Sequence, residues 1–379
     1  MVKKILLWGL GIISVLLLAV LIAYQAGLVH NAMYGKMPSK AEIAGNLEVA
    51  SQYHYLDQDY SEPLTAKSLP IDHIEFDMES GLEGWIAFIE DILSVRYPVG
   101  QINVTEGLKA MAARAEEDPN GCLVPFYSVH PVIDLVALIG VRSREDAINM
   151  APLAVHECGH IHDMFLNGKD VHNHAKVAYY QITPEKILVT ENLGLIEDGG
   201  GTFSRSMLGA DAHSDLPDGM NTCTEDGEQG CDVWSGMYLL DEAGFDLLLE
   251  EFNQYTHSLA AAYFLDDHDE ERKFYSSATS ATLAFRWYTM RYLHLARTKY
   301  PEVYDVITGS SCNVDTILTL WDRSSFYLDV VRDHGALNQR SNALAYRAVE
   351  ETSELRNEIA TLRELERVCE ARQALSSSQ

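Results

Sequence analysis

Basic residues are scarce in this chain, where 28 lysines and arginines stand against 56 aspartates and glutamates and the net charge is −28 over 379 residues. Proteins that bind nucleic acid neutralise phosphates with a basic surface, so this balance excludes nucleic acid as a main partner. Charged residues make up 22% and hydrophobic residues 47% of the sequence. That composition is typical of a folded protein and excludes a disordered acidic tail.

Long apolar runs are also scarce, and the longest is the uncharged stretch at residues 5–24. At about 1.5 Å per residue, a helix of this length matches a hydrocarbon core of about 30 Å. The run is longer than that of a signal peptide, and residues 23–26 form a poor cleavage site. Lys3 and Lys4 precede it, so the positive-inside rule predicts a cytoplasmic stub at residues 1–4. We expect a single-pass membrane protein whose ectodomain is periplasmic or otherwise extracytoplasmic.

Cysteine is limited to six residues. Outside the cytoplasm disulfides can persist, so we expect disulfides here, the alternative being six reduced and buried thiols. Cys223 and Cys231 bracket an acidic loop and are the best candidates for a local pair. The other pairings cannot be derived from sequence.

Hydrophobic periodicity predicts a mainly α-helical fold with a small sheet, an α+β domain. Residues 25–70 lack strong periodicity, so we predict that they form a linker into the folded domain. That domain is predicted at residues 71–337, and a long C-terminal helix at residues 338–379. Helices are predicted at 82–95, 105–116, 143–165, 239–264, 281–297 and 314–332, with a strand at 122–141 and a further helix from Pro184 to the glycines at 199–201.

The C-terminal helix is amphipathic, with Leu355, Ile359, Leu362 and Cys369 near heptad spacing. A stripe of this kind packs either on its own domain or against a second copy. The sequence leaves both interpretations open, so a homodimer through this helix is kept as an alternative.

One motif carries chemistry: residues 156–160 read HECGH, the pattern H-E-x-x-H. On a helix, His156 and His160 lie one turn apart and can turn ring nitrogens toward one cation. Zinc suits two imidazoles, and Glu157 can take the proton of a zinc-bound water as general base. Chance gives about 0.04 occurrences of this pattern in a chain of this composition, so a coincidence is improbable.

At these residues the chain resembles the zincin metallopeptidases, in which such a helix supplies two zinc ligands and the general base. The resemblance implies a zincin-like domain and peptide-bond hydrolysis. His162 departs from the pattern, because that position is usually apolar. Either the helix is more exposed here or His162 joins the site.

The third ligand decides the branch of the family. The metzincin pattern would continue with Gly and His at positions where this chain has Asp163 and Leu166, so that branch is rejected. Gluzincins take a glutamate from a following helix, and the resemblance therefore points to Glu191 or Glu197. The remaining candidates are Asp163, Asp170, His172, His174 and Glu251.

Three further expectations concern the surroundings of this site. An oxyanion donor is expected among Tyr179, Tyr180, Tyr255 and His257. The acidic loop at 211–232 offers oxygen ligands for Ca²⁺, although its spacing is not that of an EF-hand. The acidic stretches at 198–232 and 241–272 predict a preference for basic or neutral peptides if they line the cleft.

The sequence therefore predicts a membrane-anchored zinc metalloprotease that acts on a peptide or protein substrate outside the cytoplasm. Two alternatives remain. One is a non-catalytic anchored scaffold with a vestigial motif, and the other is a zinc amidase acting on non-protein bonds.

Overall fold

A computed structural model describes residues 60–77, 79–117, 143–166, 177–193, 245–268, 276–332 and 353–365. All of them belong to one compact unit, Gly45–Gln379. The predicted stub and anchor, the calcium loop and the strand at 122–141 lie outside the described residues. Within the described ranges, no helix is both long and apolar enough to cross a membrane.

The described part of the chain is mostly helical with a small two-stranded sheet, which confirms the predicted fold class at that level. The helices are α1 (Gly81–Arg96), α2 (Pro98–Glu117), α3 (Arg144–Leu166), α4 (Phe245–Leu265), α5 (Ser276–Lys299), α6 (Pro301–Gly309), α7 (Ser311–Val331) and α8 (Ser353–Glu364), and the strands are β1 (Val177–Thr183) and β2 (Lys186–Glu191). Two short 3-10 helices lie at Thr65–Ser68 and Asp266–His268.

The C-terminal helix predicted at 338–379 is described only over α8, and it has already ended at Glu364. Apart from this helix and the one predicted from Pro184, the predicted helices are found with small shifts at their ends. The largest of these shifts is in α2, which begins at Pro98 rather than at 105. Proline is favoured in the first turn of a helix because its missing N–H would have no partner there. Helix α4 matches the described part of the stretch predicted at 239–264.

The helix predicted from Pro184 is wrong, because the chain forms an antiparallel hairpin there. Thr183 pairs with Lys186, which leaves Pro184 and Glu185 as the two turn residues. Proline pre-sets the backbone of a turn as readily as that of a helix start. The residues that follow, KILVTE, are rich in β-branched side chains, which fit a pleated strand better than a helix.

Helix α4 lies at the centre of the described fold. Its side chains belong to both apolar clusters: one includes the sheet and α5 to α8, and the other includes α1, α2 and α3. Residues 259–262 are buried on every side. A helix segment that is buried on every side lies in the core, so α4 runs through the interior of the described fold.

Both ends of the described chain pack on this core. Residues 60–70, predicted as linker, contact it through Lys67, which bonds to Asp266, and Glu62, which bonds to Arg323. The predicted boundary at residue 70 therefore does not separate this segment from the domain. Helix α8 buries Leu355, Ile359 and Leu362 in the same chain's core, so the described part of its apolar stripe is covered within the chain.

Candidate metal centre

The motif lies on α3, whose start is set by sequence. The Ser143 hydroxyl accepts a hydrogen bond from the Asp146 backbone N–H at 3.0 Å, which caps the helix. The helix continues through Pro152 and places His156 and His160 one turn apart. Both imidazoles are buried, with 4% and 6% of their surface exposed.

Three ligand-type atoms converge beside this helix. The Nε2 atoms of His156 and His160 lie 3.0 Å apart. The Oε2 atom of Glu251, on α4, lies 3.7 Å from His156 Nε2 and 3.5 Å from His160 Nε2. A tetrahedral zinc ion with bonds of about 2.1 Å separates its ligand atoms by about 3.4 Å. The three residues form a group that could hold a metal ion.

The surroundings of Glu251 Oε2 show whether this group of residues suits a cation. This oxygen is buried, and it has no hydrogen-bond partner among the described residues. An unpaired carboxylate oxygen inside a protein carries a large desolvation cost, which a cation or a donor must offset. The donor set, two imidazole nitrogens and one carboxylate oxygen, is one that zinc and other divalent transition metals accept.

Glu250, the residue before Glu251, holds the second histidine in place. Its Oε2 lies 2.5 Å from His160 Nδ1, and both side chains are buried. An ionised carboxylate can only accept, so Nδ1 is the donor in this bond. The bond leaves Nε2, which faces Glu251, as the ring nitrogen that could bind a metal ion, as in carboxylate–histidine–metal triads.

The electrostatics of this group favour a positive charge. Burial and then the neighbouring His160 lower the pKa of His156 to about 3. Burial also opposes the charged form of His160, but the carboxylates of Glu250 and Glu251 outweigh it and raise the His160 pKa to about 10. The imidazole that both glutamates face therefore carries the charge, and a divalent cation would satisfy the same carboxylates.

A buried polar network extends from Glu250 to Asp163. Gln254 Nε2 donates to Asp163 Oδ2 at 2.8 Å and lies 3.3 Å from Glu250 Oε1. Asp163 also accepts from the Gln181 backbone N–H and from Asn253 Nδ2. Asp163, an alternative ligand in the sequence, is thus engaged between α3, β1 and α4. Burial raises its pKa well above the usual value.

The predicted ligand Glu191 is not brought to the histidines. It is the last residue of β2, where its carboxylate accepts a hydrogen bond from the Ser310 hydroxyl at 2.7 Å and its backbone bonds to Asn313. The hairpin explains the difference, because the strand carries Glu191 to the start of α7. Glu197, Asp170, His172 and His174 lie outside the described residues.

Glu157, the predicted general base, is half-buried on α3. Its charge helps to raise the pKa of His160, so it lies within electrostatic reach of the site. The adjacent Cys158 is a free, buried thiol whose pKa is raised by burial. Cys312 is disulfide-bonded, and its partner lies outside the described residues.

The four candidate oxyanion donors are in different surroundings. The Tyr255 ring lies 4.2 Å from that of His156 and stacks on Phe285. His257 is fully buried and bonded to the Tyr97 hydroxyl and the Gln181 carbonyl. Tyr180 is also buried and bonds to Asp246, whereas Tyr179 is half-buried on β1. Tyr255 is therefore the candidate in contact with the motif.

His162 is buried, with 5% of its surface exposed. The first explanation offered for it, a more exposed helix, is therefore wrong. It is also not among the three residues whose ligand atoms converge. Burial lowers its pKa, which keeps the imidazole neutral inside the core.

The acidic stretch at 241–272 does not present free charge where it is described. Asp246 bonds to Tyr180, Asp266 to Lys67 and Asp267 to Arg96. Glu250 and Glu251 belong to the histidine cluster. The second stretch, 198–232, lies outside the described residues.

Sequence reasoning gave no role to Glu250 or Gln254 and kept Glu251 only among the alternatives. A signal was present, because Glu250 and Glu251 lie between the three leucines at 247–249 and Phe252 of α4. Charged residues are rarely buried unless they are paired or bind metal.

Comparison of the chain with protein-family models, with curated proteins and with solved structures gives no match.

Proposed function

We propose that the chain is a zinc-dependent hydrolase, and more narrowly a zincin-type metallopeptidase, that binds its metal through His156, His160 and Glu251. The observation that carries this proposal is the buried, unpaired Oε2 of Glu251 facing both motif histidines. Two imidazoles and a glutamate, with one position left for substrate or water, are a catalytic zinc ligand set.

Each nearby side chain has a role in this proposal. A bound zinc ion would polarise a carbonyl group and lower the pKa of water toward neutrality. Glu157 takes a proton during attack and returns it to the leaving group. Glu250 keeps the proton on Nδ1 of His160 so that Nε2 remains a ligand. Tyr255 covers one side of the His156 ring.

We further propose that the chain is anchored by residues 5–24 and works outside the cytoplasm on a peptide or protein. The disulfide at Cys312 supports an oxidising compartment. The predicted preference for basic substrates is now less well supported, because the described carboxylates of 241–272 already pair with groups of the protein itself.

Metal analysis of the full-length chain, purified in detergent, tests the ligand set. We expect one zinc per wild-type chain. Glu251→Gln should lower the zinc affinity by more than about 100-fold, which exceeds the loss expected for a residue that only hydrogen-bonds to a metal ligand. Glu191→Gln is the matched control, since that carboxylate bonds to Ser310. Zinc loss in Glu191→Gln with retention in Glu251→Gln would contradict the proposal.

Peptide cleavage tests the chemistry. Glu157→Gln should lower kcat by about 10²- to 10⁴-fold because the general base is removed, while zinc content stays at one per chain. A library of quenched fluorescent peptides measures the rate. Zinc binding without cleavage of any peptide would favour the scaffold or an amidase acting on non-protein bonds.

A further inference from the structure

The carboxylate of Glu250 is held at both of its oxygens. Oε2 takes the bond from His160, and Oε1 lies 3.3 Å from the side-chain amide of Gln254. Glu250 is 7% exposed, so water has little access to either oxygen. The orientation of the carboxylate therefore depends on Gln254 as well as on the histidine.

The Gln254 amide serves two carboxylates with its two hydrogens. Nε2 donates to Asp163 Oδ2 at 2.8 Å, and Glu250 Oε1 lies on its other side. His160 and Asp163 share α3, whereas Glu250 and Gln254 share α4. The three hydrogen bonds therefore close a ring between the two helices, and none of its members can turn alone.

The motif residue Gly159 has no side chain, and this leaves the space that the ring of hydrogen bonds occupies. A Cβ atom on Gly159 would lie 2.0 Å from Gln254 Oε1, so the amide occupies the volume that any other residue would fill. Asp163 is anchored in turn by the Gln181 backbone N–H at 3.0 Å and Asn253 Nδ2 at 3.2 Å. The amide thus lies against Gly159 of the motif helix and bonds to a carboxylate that has two further hydrogen-bond donors.

From this geometry we infer that Gln254, anchored by Asp163 and seated over Gly159, is a positioning residue that holds Glu250 on His160 and so sets the metal affinity of the site. The inference rests on the proposed function, because it concerns the same metal. Gln254 acts only through Glu250. Substitutions of the two residues should therefore not have independent effects on the zinc affinity.

A double-mutant cycle on the full-length chain tests this dependence, with zinc affinity measured by competition against a chromophoric chelator. Glu250→Met should lower the affinity about 10- to 100-fold, the range for outer-shell partners. Gln254→Met should lower it about tenfold. The double variant should match Glu250→Met within about twofold, because residues in one hydrogen-bond network are not additive.

Asn313→Leu is the control for a general loss of packing. Asn313 is as buried as Gln254 but bonds to the Glu191 backbone at the end of β2. We expect this variant to keep the wild-type zinc affinity within about twofold, since distant sites are independent. The absorption spectrum of the Co²⁺-loaded protein should shift in Gln254→Met and stay unchanged in Asn313→Leu.

Gly159→Ala gives a second test if Gln254→Met does not fold. Its methyl group would push the amide aside without removing it, so the affinity should fall several-fold, up to about tenfold. Wild-type affinity in both Gln254→Met and Gly159→Ala, or losses that multiply in the double variant, would overturn the inference. Failure of the proposed function looks different, because Glu251→Gln would then bind zinc as well as the wild type.

Discussion

At the scale of single residues, the position of the motif helix depends on Gly107 of α2. A Cβ atom there would lie 2.2 Å from the carbonyl oxygen of Cys158, in the middle of the motif. Real Cβ atoms do not approach a backbone oxygen so closely, and a backbone atom cannot move aside as a side-chain end can. Gly107 therefore lets α2 contact α3 backbone to backbone.

Gly107→Ala should lower the free energy of unfolding by about 1–3 kcal/mol, because the added methyl group overpacks this contact. Urea-induced unfolding monitored by circular dichroism measures the change. The matched control is Gly309→Ala, where no atom of the described residues lies within 4 Å of the added atom. Alanine is favoured over glycine in a helix, so the control should be neutral or stabilised by up to about 1 kcal/mol. Equal effects at both glycines would contradict the steric argument.

At the scale of elements, local pattern predicted the helices and the two histidines but not the third ligand. His156 and His160 are one turn apart on one helix, which spacing alone reveals. Glu250 and Glu251 reach them from a helix about 90 residues later in the chain. Such a contact depends on how α3 packs on α4, and no local pattern encodes it.

The hairpin shows the opposite failure, in which a local signal pointed to the wrong element. Pro184 suits both a helix start and a turn, and KILVTE is too short for its period to decide. Burial settles the choice, because Leu188 and Val189 are enclosed by the core and the Val189 carbonyl accepts from Thr316 of α7. The error mattered for function, since it made Glu191 a residue of a second motif helix.

Helix α8 is held to its own domain by its apolar stripe, and Leu362→Ala should show this. Leu362 is fully buried, so its truncation should cost about 2–5 kcal/mol of unfolding free energy. Asn357→Ala, on the exposed side of the same helix, should stay within about 0.5 kcal/mol of the wild type. A change in oligomeric state without a loss of stability in Leu362→Ala would instead favour the homodimer.

At the scale of the whole molecule, one buried cation joins parts of the chain that are far apart in sequence. The Arg323 side chain on α7 is completely buried. Its Nε donates to Glu62 Oε1 at 2.7 Å, and its Nη2 donates to the Tyr97 hydroxyl at 2.7 Å. Tyr97 also bonds to His257 of α4. The segment at 60–68 therefore closes over the centre of the fold through the charge of Glu62.

Glu62→Gln should cost about 3 kcal/mol of unfolding free energy, because it keeps the shape of the side chain but leaves the Arg323 charge buried without a counter-ion. Glu106→Gln is the same substitution in the exposed pair with Lys109 and should change stability by less than about 1 kcal/mol. Urea unfolding of both variants at one pH and ionic strength gives the comparison. If Glu62→Gln were as stable as Glu106→Gln, the hydrogen bonds of Arg323 to Tyr97 and its neighbours would be enough to stabilise the buried Arg323 charge. The N-terminal segment would then contribute shape but no charge to the stability of the domain.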